Sequence, residues 1–230
     1  MQETVPSCAL CPFPWPERYC RRPGGKGPKN CPSIIYRDLV KQAKTLVSEP
    51  ELRQFSRNCS IQEAEAYGGR ELGYEHIRPI KPRIEEIAEF ARRMGYERLA
   101  LIFCVGLRRE AEIVHRFFSD YGFETVSVAC KVGRVAKGIL GLGRAEQVDP
   151  GAEEETMCNP VLQALVANRC EVQLNILLGL CVGHDSLFIR HAKAPVTVLA
   201  VKDRVLGHNP LAAIYTYDSY YRSLKQPKKE

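Results

Sequence analysis

Four apolar runs limit this chain more than any other feature of its sequence: RLALIFC (98–104), ETVSVACK (124–131), VQLNILLGLC (172–181) and PVTVLAVKD (195–203). Each is too continuous for a strand with one wet face, and rich in the β-branched and apolar residues of strands buried on both sides. Helical periodicity fills the gaps between them, in REAEIVHRFFSDYG, NPVLQALVANR and HDSLFIRHA. Repeated β-α-β units of this kind close into a parallel sheet covered on both faces. The expected fold is therefore α/β, a three-layer, open, mainly parallel and Rossmann-like sheet. At 230 residues the chain buries a core without disulfides to staple it.

The N-terminal part reads differently. Residues 1–32 are rich in Pro, Gly and Cys with almost no apolar period, so something other than packing must order them. We draw a boundary there, with a cysteine-rich metal-binding segment over 1–32 and an α/β domain with N-terminal helices over 33–230. The first helix is expected from Ser33 as cap, with Ile35, Leu39, Val40, Ala43 and Val47 on one stripe. A second is expected over 50–67, and a third over 81–94, stopped by Gly95. The glycine-rich, acidic stretch from Gly133 to Thr156 reads as a long excursion of the kind that often carries function.

Ten cysteines are many for a chain in which no apolar leader follows Met1 and no run reaches the length of a membrane span. The expected setting is cytoplasmic, with reduced thiols, and there clustered cysteines point to metal or redox chemistry. The net charge of +6 gathers toward the ends of the chain. No aromatic-interleaved RNA motif or recognition helix accompanies it, so we expect neither a nucleic-acid nor a membrane partner; a redox partner or a small anionic ligand fits better.

Cys104, Cys130 and Cys181 close the first three strands, and parallel strands bring their ends to one sheet edge. Cys158 precedes Asn159 and Pro160, a helix start, and that helix returns from the same edge. A repeated CVG follows the first and third strands (Cys104–Gly106 and Cys181–Gly183), where helix N-termini favour thiolates. A buried thiol is the simpler account of any one of these cysteines. Four at one edge favour a shared metal site, most simply a 4Fe–4S cluster. Cys59, Cys170, His115 and His191 lie away from that edge and are assigned to packing or to helix surfaces.

Near the N-terminus, Cys8 and Cys11 form a C-x2-C pair, followed by Cys20 and Cys31. Four thiolates suit a tetrahedral ion, and the segment's missing core would make metal binding its source of folding energy. The dipeptides Cys11-Pro12 and Cys31-Pro32 leave zinc and a second iron–sulfur cluster both open.

The motifs CVGL, SVACKVG, MCNP, LNILLGLCVGHDSLF and VTVLAVKDRVLGHNP, behind a four-cysteine segment, resemble a family of uncharacterised prokaryotic proteins classed as a domain of unknown function. The resemblance implies metal binding through the cysteines and no particular reaction. Its motif blocks contain Cys104, Cys130, Cys158 and Cys181, together with Lys131, His184, Asp185, Lys202, Asp203, Arg204, His208 and Asn209, which we take as candidates for binding a small anion. The leading expectation is an iron–sulfur protein with a redox or electron-transfer role. The alternatives are a cysteine- or metal-dependent transferase or hydrolase, with Cys181 or Cys104 as thiolate and His184 as base, and a zinc-stabilised binding module.

Overall fold

A computed structural model describes residues 5–226, and the chain divides into two compact units, 1–64 and 65–230. The first holds the cysteine segment, two short 3-10 turns (Cys8–Leu10 and Trp15–Glu17) and helices α1 (Pro32–Ile35), α2 (Arg37–Leu46) and most of α3 (Pro50–Glu65). The single helix expected from Ser33 is thus two. Pro32 supplies the preset first turn and Cys31 takes the cap position, but Tyr36 leaves helical geometry at φ −108, ψ 52, and α2 starts afresh from it.

In the second unit, a two-residue antiparallel pair, β1 (Tyr67–Gly68) with β2 (Arg78–Pro79), precedes α4 (Arg83–Arg93). Then follow β3 (Arg98–Phe103), α5 (Arg108–Asp120), β4 (Glu124–Ala129), α6 (Pro160–Arg169), β5 (Leu174–Leu180), α7 (His184–His191), β6 (Val196–Val201) and the short α8 (Leu211–Tyr215). Strands β3 to β6 form one parallel sheet in the order β4-β3-β5-β6. Side chains alternate across it as the pleat demands. Leu99, Leu101, Leu174 and Ile176 pack with α4 and α5, while Ala100, Ile102 and Leu177 pack with α6 and α7. The protein is α/β with helices on both faces of a parallel sheet. Burial on both faces is complete for the central β5; β4 and β6, being edge strands, are largely half-buried. Among the described residues, no helix is long and apolar enough to cross a membrane.

Three helices end in the same way, and that repetition sets where the strands begin. After α4, Gly95 lies at φ +71, Gly95 N donates to Arg92 O (2.9 Å) and Tyr96 N to Ala91 O (2.9 Å). After α5, Gly122 (φ +92) and Phe123 repeat this pair of bonds onto Ser119 and Phe118. This double bond pattern ends a helix sharply and returns the chain toward the sheet. Behind α6, Cys170 is the last capping residue and Glu171 takes the left-handed position at φ +53, with Val172 N donating to Ala167 O.

The sheet's alternation is broken near the ends of β5 and β6 by two compensating register shifts. Leu177 pairs with Val198, Leu178 with Ala200 and Leu180 with Val201, so β6 carries an extra residue at Leu199 and β5 one at Gly179. Gly179 sits at φ +68, and a Cβ there would lie 2.1 Å from Leu107 Cδ1. The bulge puts Leu180 on the same face as Leu177 and re-aims the chain just before Cys181.

Candidate functional site

Strand order decides where the carboxyl ends can hold something. The chain leaves β3 for β4 on one side, then returns through α6 to β5 on the other. The switch point therefore lies between β3 and β5, where open α/β sheets leave a crevice. Cys104 follows β3 and Cys181 follows β5 at that crevice, flanked by Cys130 after β4 and Lys202 after β6.

Each cysteine is placed by backbone bonds. Cys104 N donates to Leu178 O (3.1 Å), extending the β3–β5 ladder by one residue. A 3-10 turn, Val105–Leu107, comes before α5, and within it Val105 N donates to Cys130 Sγ (3.3 Å). The Gly133–Thr156 excursion closes as a return loop: Met157 N donates to Val135 O (2.8 Å), Ala136 bridges Thr156, and Asn159 N donates to Cys130 O (2.8 Å). Cys158 is delivered beside Cys130, with their Sγ atoms 3.6 Å apart. Asn159 caps α6 by accepting from Leu162 N (3.0 Å), with Pro160 in the first turn as its sequence suggests. Gln163, one helical turn on and fully buried, donates to Phe103 O (3.3 Å) and Val128 O (2.7 Å), pinning α6 to the ends of β3 and β4.

The thiols form a chain of unequal acidity. A hydrogen bond to Cys130, helped by burial, pushes Cys104 far above the usual thiol range. At Cys130 the bond from Cys104 lowers the pKa, but the contact with Cys158 and burial outweigh it and the thiol is raised. Cys158, at the end of the chain, is lowered to about 7, chiefly by its hydrogen bond with Cys130 and further by the Lys131 charge. Charges on Cys181 and Cys104 oppose that ionisation, which places both sulfurs within electrostatic reach of Cys158. Cys181 Sγ accepts from Arg204 Nη2 at 3.0 Å, and a Cβ on Gly106 would stand 3.2 Å from Lys202 Nζ and 3.8 Å from Cys104 Sγ.

The anion-binding candidates divide. Lys131 Nζ donates to Thr156 O, Lys202 lies beside Cys104, and Arg204 is on Cys181. His184 begins α7, and burial, with Lys131, Lys137 and Arg204 nearby, lowers its pKa against the opposing pull of Asp185. Asp185 accepts from Ser186 N (2.8 Å). Asp203 and His208 serve their own turn: Asp203 Oδ1 accepts from Val205 N and Leu206 N, and Asp203 N donates to His208 Nδ1 (3.1 Å). Asn209 belongs to the same turn, its N–H on Leu206 O and its carbonyl accepting from Ala212 N.

Sequence reasoning missed Gln163, Lys137 and Gly179; only Gly179 gave a signal, as a glycine inside an apolar run. Cys59, assigned to packing, is exposed, because α3 turns Asn58 and Gln62 inward and Cys59 stands off that face. Cys170 caps α6 and packs on the sheet, and His191 Nδ1 sits 2.7 Å from Leu187 O. In the first unit, Cys8, Cys11, Cys20 and Cys31 line one small cavity.

A thiolate-bound metal centre asks for sulfur donors, N–H groups aimed at sulfur, and nearby cations to offset charge. The strand-end residues meet that description in donor chemistry. Among the described residues, however, no group of three or more His, Cys, Asp or Glu side chains is already gathered around one point as a single ion requires.

Residues 31–199 match the profile of a family described as "Protein of unknown function (DUF1847)". The chain belongs to that family. It is also 39% identical over 181 residues to "Uncharacterized protein MJ0455" of Methanocaldococcus jannaschii, covering 79% of this chain and 89% of that one. The family match takes in Cys104, Cys130, Cys158 and Cys181, and leaves Cys8, Cys11, Cys20 and the turn from Lys202 to Asn209 outside it.

Proposed function

We propose that this protein is a cytoplasmic iron–sulfur protein with a redox role, its cluster held by Cys104, Cys130, Cys158 and Cys181 at the switch point of the sheet. The observation that carries the reading is the contact chain of Cys104, Cys130 and Cys158, with Cys181 in electrostatic reach, assembled from four separate stretches of sequence. When bound, a cluster of this kind supplies one-electron transfer. The chain's own residues do the rest. Val105 N–H donates to sulfur, and Lys131, Lys202 and Arg204 offset thiolate charge. The glycines at 106 and 179 keep side chains out of the crevice floor. Burial and three nearby cations lower the pKa of His184, which favours its neutral form. Reduction with dithionite and reoxidation of anaerobically purified protein test the proposal: the visible absorbance should bleach and return. A colourless protein that cannot be reconstituted with iron and sulfide would refute it.

A second reading rests on Cys158. Its pKa of about 7 and its 3.6 Å approach to Cys130 suit thiol–disulfide exchange. Cys158 thiolate would attack a small disulfide, releasing one thiol, and Cys130 would resolve the mixed disulfide, releasing the second. Cys104, pushed far up, is the poorer nucleophile in this arrangement. Stoichiometric reduction of a small disulfide by iron-free protein, with two thiols released per Cys130–Cys158 disulfide formed and the reaction lost in Cys158→Ser, would favour it.

A further inference from the structure

We propose that Cys8, Cys11, Cys20 and Cys31 bind one zinc ion, and that this ion holds the N-terminal unit together. From residue 5 to residue 57 no side chain is buried, so the segment has no core to order it. It is nevertheless folded tightly on itself. Tyr19 N donates to Lys26 O and Lys26 N to Glu17 O, both at 2.7 Å, and Asn30 Nδ2 reaches Val5 O (3.0 Å) and Ser7 Oγ (2.7 Å). Gly25 passes so near Arg18 that a Cβ would lie 2.3 Å from its carbonyl oxygen, and a Cβ on Gly27 would lie 3.1 Å from Cys31 Sγ. A few exposed hydrogen bonds do not offset the entropy of ordering such a segment, whereas a bound metal supplies that free energy directly.

These turns set the four cysteines around one cavity, without yet gathering them to the distances of a single ion. Cys11 N donates to Cys8 O (3.2 Å), which makes the C-x2-C pair a compact hook, and all four cysteines line one cavity of about 60 Å³. That is the space of about two waters at ~30 Å³ each. A space this small suits one ion better than a cage of several irons and sulfides, so zinc is preferred over a second cluster. Cys8 and Cys20 are exposed, and their side chains turn about χ1 onto an ion without repacking anything. Four thiolates around Zn²⁺ leave excess negative charge, and Arg18 and Lys26 line the same cavity.

This site is independent of the strand-end cluster, and metal analysis of the full chain separates the two. Protein purified without chelators should carry one zinc per chain whatever its iron content. Replacing zinc with Co²⁺ should give the thiolate-to-cobalt charge-transfer bands of a tetrahedral sulfur site. The double variant Cys8→Ser/Cys11→Ser should lose the zinc and the cobalt bands while keeping the iron of the unaltered chain. Chelation of the natural chain should speed proteolytic cutting between residues 5 and 57. Zinc retained in the double variant, absence of cobalt–thiolate bands in the natural chain, or cutting unaffected by chelation would each overturn the proposal, and none of these results bears on iron.

Discussion

Gly179→Ala should cost about 2–5 kcal/mol of folding stability, the sum of two separate penalties. At φ +68 a side chain at position 179 is strained, by roughly 1–2 kcal/mol. The new Cβ would also meet Leu107 Cδ1 at 2.1 Å, and Leu107 is only 5% exposed, so it has nowhere to withdraw. Overpacking of that kind costs about 1–3 kcal/mol. Urea unfolding followed by circular dichroism measures the change, with an unaltered slope showing that stability and not compactness moved. Leu107→Ala alone should cost about 2–5 kcal/mol through the cavity it leaves. Combined with Gly179→Ala it should cost less than the sum, because the clash partner is gone. A Gly179→Ala variant within ~0.5 kcal/mol of the natural chain would show that the bulge is not held by Leu107.

Gln163→Leu should cost roughly 1–3 kcal/mol by stranding Phe103 O and Val128 O, read by the same unfolding experiment. Glu171→Gly should raise stability by about 0.5–1 kcal/mol, since Glu171 occupies a left-handed position at φ +53; a loss would mean that its side chain contributes more than its backbone costs. In the metal-free chain Cys158 ionises near pH 7, because its bond with Cys130 and the charge of Lys131 favour the thiolate. Its alkylation by iodoacetamide, followed by peptide mass spectrometry, should therefore be slow below pH 6 and level off above pH 8. Cys104 should stay unreactive throughout, and a Cys158 midpoint at the ordinary thiol value of about 8.5 would contradict the hydrogen-bonded chain.

Much of this was legible in the sequence. The continuous apolar runs announced buried parallel strands because only a sheet covered on both faces tolerates them, and the sheet has helices on both sides. Cysteines at strand ends had to emerge at one edge, and Asn159-Pro160 marked the helix that brings Cys158 back to it. What escaped depends on contacts between distant segments. The need for glycine at the 179 bulge comes from Leu107, 72 residues earlier in the chain, and the paired extra residue at Leu199 compensates the bulge. The bond from Arg204 to Cys181 needs β6 beside β5, an order that local period does not specify. The break at Tyr36 was hidden by an unbroken apolar stripe, and the turn built by Asp203 and His208 uses the same residue types as an anion-binding site, so local sequence does not tell the two apart.

Iron and acid-labile sulfide, measured per chain on protein purified without oxygen, test the central claim most directly. The account predicts both elements in the natural chain, their retention in Cys170→Ala, where the altered residue caps α6 and packs on the sheet, and their loss in Cys181→Ala. Equal iron and identical spectra in Cys170→Ala and Cys181→Ala, or a natural chain that takes up no iron on reconstitution, would contradict it.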